Sequence, residues 1–87
     1  MPEISRFLGI KVEMRYREHN PPHFHAIYNG NEISVDINNV NIMDGYFPPL
    51  QKKIILKWCK EHKVELLNNW NLAMKQQQLI SIEPFKK

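Results

Sequence analysis

The chain has one cysteine, three glycines and no apolar run near the ~18 residues that a membrane-spanning helix needs. A lone Cys59 rules out an intramolecular disulfide and fits a reducing compartment. No signal-peptide pattern stands at the start, so the expected location is the cytoplasm, with no membrane partner. Internal repeats are absent, and the nearest thing to low complexity is Gln76-Gln77-Gln78. Excess charge is small as well: 12 Lys and Arg against 9 Asp and Glu give +3, which permits an acidic partner without demanding one. With 87 residues there is room for one core, so residues 1–87 read as a single domain.

What the chain does have is histidine in one place. His19-Asn20-Pro21-Pro22-His23-Phe24-His25 carries three of the four histidines around a double proline. Upstream, Ile10 to Arg17 alternates apolar and polar, which predicts a half-buried strand with Ile10, Val12, Met14 and Tyr16 inward. Prolines 21 and 22 fix φ and remove donors, so residues 18–22 turn. A second strand is expected from His23 to Tyr28, and Asn29-Gly30 then reads as a two-residue type I′ hairpin loop. Its partner strand runs from Asn31 to Ile37.

That turn fixes a register. Ala26 faces Ile33 and Phe24 faces Val35 on the apolar side, while His25 faces Ser34 and His23 faces Asp36 on the other. Opposed Cβ atoms lie about 4.5–5.5 Å apart, so a His23–Asp36 side-chain pair is expected. A further short strand is read at Val40–Met43, ending in an Asp44-Gly45 turn. Pro48-Pro49 suits a helix start, followed by Leu50, Ile54, Ile55, Trp58 and His62 at helical spacing. Leu66, Leu67, Trp70, Ala73 and Met74 mark a second helix, with a break near His62-Lys63. Trp58 and Trp70 read as core, Lys52, Lys53, Lys57 and Lys60 as a solvated face, and Leu79–Ile82 as a last edge strand. Strands first and helices after imply an α+β domain: an antiparallel sheet of three to five strands with two C-terminal helices on one face.

Four segments carry a family resemblance. Ile4-Ser5-Arg6-Phe7-Leu8-Gly9-Ile10, then His19 through Ala26, then Glu65-Leu66-Leu67-Asn68-Asn69-Trp70, then Ile82-Glu83-Pro84 occur in that order. Together they resemble the bacterial family catalogued as domain of unknown function 4160. The signature falls on His19, Pro21, Pro22, His23, Phe24 and His25, and Glu18 stands where the family tends to carry aspartate. The resemblance implies a compact bacterial protein often encoded beside a partner of domain-of-unknown-function family 2442. Such pairs are read as toxin–antitoxin modules, with this domain as the toxin.

Four readings of the histidine face stand side by side. In the first, His23 and Asp36 form an acid–base dyad, and His25 and His19 complete the catalytic set. Arg15, Arg17 and Lys11 then contact the phosphates of RNA, whose own 2′-hydroxyl is the nucleophile, and no cofactor is called for. In the second, His23, His25 and Asp36 hold a divalent metal. The third is a binding module without turnover, with Tyr16 or Tyr28 available for stacking. The fourth is structural, with the prolines shaping a tight connection and the imidazoles donating to loop carbonyls.

Overall fold

A computed structural model describes residues 2–86 of the protein. Five strands come first: β1 (Glu3–Phe7), β2 (Ile10–Glu13), β3 (His23–Tyr28), β4 (Asn31–Asp36) and β5 (Asn41–Gly45). Two helices follow, α1 (Pro49–Glu61) and α2 (Lys63–Met74). The strands lie side by side in sequence order, each antiparallel to the next. The class is α+β. Among the described residues, no helix is long and apolar enough to cross a membrane.

The central hairpin forms in the expected register, with His23 opposite Asp36, Phe24 opposite Val35, His25 opposite Ser34 and Ala26 opposite Ile33. Its turn takes positive φ at Asn29 (50°) and Gly30 (83°), as a type I′ loop requires. Alternation then sends Ile10, Val12, Phe24, Ala26, Ile33 and Val35 to one face, all at most 1% exposed. Ile55, Trp58, Leu66 and Ala73 of the helices join them in one core. The Trp58 ring lies edge-on to Phe24 at 5.8 Å and tilted against Phe7 at 5.2 Å. Lys52, Lys53, Lys57 and Lys60 stay in solvent.

Several element boundaries differ from expectation. β1 is an additional strand, pairing β2 with a register shift between Glu3 and Ser5. The strand read at residues 10–17 ends at Glu13, and the chain turns at Arg17, where φ is 62°. Tyr16 is half-buried and donates its hydroxyl to the Gln77 carbonyl at 2.8 Å. The Asn20–Pro21 peptide is cis. β4 ends at Asp36 and β5 starts at Asn41, because Val40 (φ 53°) closes a turn by donating its N–H to the Asp36 carbonyl at 2.9 Å. Asp44 and Gly45 belong to β5 and do not form the expected turn. Leu50 is 63% exposed and stands outside the core. The helices break at His62 (φ −114°).

The expected last strand at Leu79–Ile82 does not form. The tail is irregular, touching β1 through one backbone bond, Ile82 N–H to the Ile4 carbonyl at 2.8 Å.

Candidate functional site

The outward face of β2, β3 and β4 places Glu13 opposite His25, and His25 opposite Ser34. Residues 14–22 leave the sheet after β2 and bring Glu18 onto this face. Glu18 Oε1 lies 2.6 Å from His25 Nε2 and 3.4 Å from His23 Nε2, so one carboxylate oxygen is shared by two imidazoles. The two rings stand edge-on, 5.3 Å apart. Despite facing away from the core, they are nearly out of water: His23 is 9% exposed and His25 7%. Trp70 of α2 contributes to this, lying 5.3 Å from the His23 ring.

Partners fix the tautomers. His23 Nδ1 is 2.8 Å from the Pro21 carbonyl, which can only accept, so Nδ1 carries the hydrogen. In the neutral ring, Nε2 then keeps its lone pair. His25 Nε2 donates to Glu18. Its Nδ1 then accepts, with Arg15 Nη1 at 3.3 Å and the Ser34 hydroxyl at 3.4 Å as donors. Glu32 Oε2 also lies 3.4 Å from this nitrogen. The hydrogen bond from His25 holds the Glu18 carboxyl below its ordinary range, against the opposing effect of burial. Glu32 is likewise lowered, chiefly by its hydrogen bond from Arg15.

Arg15 is the electrostatic hub. Its Nη2 donates to Glu32 at 3.0 Å and to Glu13 at 3.3 Å, while its buried Nε has no hydrogen-bond partner among the described residues. An open cleft of about 640 Å³, lined by Pro2, Arg15, Tyr16 and Glu18, lies beside it.

The expected residues fare unequally. His23 and His25 come together as predicted. Asp36 stands opposite His23 in the ladder but does not bond to it: its two oxygens accept from Asn39 N at 3.1 Å and Asn39 Nδ2 at 3.0 Å. The predicted His23–Asp36 pair is therefore replaced by pairing with Glu18, because the turn after β4 consumes the aspartate. The metal set of His23, His25 and Asp36 changes in the same way. Among the described residues, Glu18, His23 and His25 are the group whose ligand atoms all lie within 4.8 Å of one another. His19 and Arg17 are exposed and join none of the cluster's hydrogen bonds. Lys11 reaches Glu13 at 3.0 Å.

A family model described as "Domain of unknown function (DUF4160)" matches residues 9–71. The chain belongs to that family. The matched span holds the whole cluster, with Glu18, His23, His25 and Glu32, and leaves β1 and the tail outside. No curated protein and no solved structure matches the chain.

Two residues of this DUF4160 site were missed by sequence reasoning. Glu18 lies in the turn, and strand periodicity says nothing about a loop folding back over its own sheet. Glu32 was within reach: the register puts it opposite Ile27, on the same face as His25 and diagonal to it. Cys59 adds nothing here, since it is buried and burial pushes its thiol up to about 11.

Proposed function

We propose that this protein is the toxin component of a bacterial two-protein module and that it cleaves RNA by acid–base chemistry at the Glu18–His23–His25 cluster. The observation that carries this reading is the 2.6 Å contact between Glu18 and His25, with a second imidazole on the same oxygen. A carboxylate that holds Nε2–H leaves Nδ1 of His25 as the basic atom. That atom adjoins Arg15, the cation that lines the cleft and whose charge would stabilise a phosphate brought there. In the proposed step His25 takes the proton of the 2′-hydroxyl, whose oxygen bonds to phosphorus. The bond to the 5′-oxygen breaks, and His23 in its protonated form supplies that oxygen's proton. The antitoxin-like partner of domain-of-unknown-function family 2442 is proposed from the resemblance carried by His19 to Ala26.

Expression with and without the neighbouring gene tests the module: growth should arrest only without it. Purified protein should cleave RNA in the presence of a chelator, and His25→Ala or Glu18→Gln should reduce the rate by about 10²–10⁴-fold. Asp36→Asn should cleave normally. Harmless expression, or a fully active His25→Ala variant, overturns the proposal.

A further inference from the structure

We infer that Glu18, His23 and His25 form a binding site for a divalent transition-metal ion of the zinc class. The inference goes beyond the function proposed above, because a metal-loaded cluster has no free imidazole base.

The donor set fits, and its three ligand atoms, all within 4.8 Å of one another, lie close to the spacing an ion requires. Two imidazole nitrogens and one carboxylate oxygen suit zinc and its neighbours, with a further position left for water. Around a tetrahedral ion with bonds near 2.0–2.1 Å, neighbouring donor atoms sit roughly 3.3 Å apart. Glu18 Oε1 and His23 Nε2 are already 3.4 Å apart. Glu18 Oε1 and His25 Nε2 stand at the shorter hydrogen-bond distance of 2.6 Å, so an entering ion needs the carboxylate to move back by under about 1 Å. The cluster is prepared on rigid ground: His23 and His25 alternate onto one face of a central strand and are largely withdrawn from solvent.

The outer contacts point the same way. A metal-bound histidine usually donates its other N–H to a carbonyl or carboxylate, which fixes the ring and raises its basicity as a ligand. His23 already does so through Nδ1 to the Pro21 carbonyl, leaving Nε2 for the ion. His25 has the matching acceptor in Glu32, whose Oε2 lies 3.4 Å from Nδ1. Metal entry displaces the Nε2 hydrogen of His25, and the ring then carries its hydrogen on Nδ1, toward Glu32. Of the three ligands, Glu18 also lines the open cleft with Pro2, Arg15 and Tyr16, which puts solvent beside the cluster. By contrast, the other His–Glu contact, His62 Nδ1 to Glu65 at 2.6 Å, offers one imidazole and a half-exposed carboxylate, and serves as an internal control.

Tag-free full-length protein incubated with Zn²⁺ and desalted should retain one equivalent and melt at a higher temperature than the chelated form. Glu18→Ala, His23→Ala and His25→Ala should lose the bound zinc, and His62→Ala should keep it. Glu32→Gln should weaken binding by about 10–100-fold, as loss of an outer-shell partner does. Should the histidine variants fail to fold, NMR of the wild-type imidazoles remains decisive: Zn²⁺ should shift His23 and His25 and leave His19 and His62 in place. Substoichiometric zinc, retention by folded Glu18→Ala, or shifts confined to His19 or His62 overturn the inference. None of these readouts uses RNA or growth, so failure here and failure of the proposed cleavage are separable. If both hold, added Zn²⁺ inhibits the cleavage and a chelator restores it.

Discussion

Glu13 is 5% exposed on the outward sheet face, where an ionised carboxylate is costly unless it is paired. Burial pushes its carboxyl up, but hydrogen bonds from Lys11 at 3.0 Å and Arg15 at 3.3 Å outweigh it and hold the group below its ordinary range. A depressed folded-state value contributes stability that is complete above the unfolded-chain value and is lost as pH falls through the folded one. Glu13→Gln should therefore cost roughly 1.5–3 kcal/mol at neutral pH, the range for hydrogen bonds to a charged group. That gap from wild type should close as pH falls below the ordinary glutamate range near 4.5. Urea denaturation of both proteins from neutral to acidic pH checks this, and a gap independent of pH would contradict it. At the same scale lies the main lesson about the site. Register brings Asp36 within reach of His23, yet side-chain pairing is decided by local competition, and the Asn39 turn wins both oxygens.

Strand elements show where pattern suffices. The β3–β4 hairpin was legible because two independent constraints agree: a turn that needs positive φ, and an apolar face that only one register buries. β1 was not legible, since its apolar positions Ile4 and Phe7 are three apart and a register irregularity interrupts the alternation. β5 had a weaker signal for a similar reason, with Met43, Asp44 and Gly45 all exposed. Two glycines separate conformational need from packing need. At Gly30 (φ 83°) an added Cβ meets nothing within 4 Å among the described residues, so Gly30→Ala should cost only about 1–2 kcal/mol of left-handed strain. At Gly45 (φ 90°) the same atom runs into the Glu32 carbonyl oxygen and lies 3.0 Å from Ile33 Cα, both backbone of the adjacent strand. Gly45→Ala adds a clash of roughly 1–3 kcal/mol or more to that strain and should loosen β5 from β4. Chemical denaturation ranks the two, and protection from amide exchange lost at Ser34, whose N–H faces β5, in Gly45→Ala alone would locate the damage.

The whole molecule is closed by a segment that has no regular structure. The tail after α2 binds three separate parts of the fold: Tyr16 donates to Gln77, Ile82 donates to Ile4 of β1, and Trp58 Nε1 donates to the Glu83 carbonyl at 2.9 Å. Asn69, 1% exposed in α2, forms the fourth tie: it accepts from Ile80 N at 2.9 Å and donates to the Ile80 carbonyl at 2.8 Å. An amide side chain is here doing the pairing that a neighbouring strand would otherwise do. This is why an apolar tail read as a strand lies irregular yet ordered against the core, with Ile82 4% exposed. Asn69→Leu keeps apolar volume but leaves the Ile80 groups unpaired, at a cost of about 1–3 kcal/mol for each one that water cannot reach. Removing residues 79–87 costs more, because it also exposes the face that Ile82 covers, about 1.5–3 kcal/mol for such a side chain, and strips Trp58 of its acceptor. A domain of this size has roughly 5–15 kcal/mol in total, so the truncated chain should melt far below wild type, with Asn69→Leu between them. Tryptophan fluorescence, from Trp58 and Trp70 together, followed during thermal unfolding tests the order. Equal stability of wild type and truncation would mean that the tail merely rests on a core complete without it.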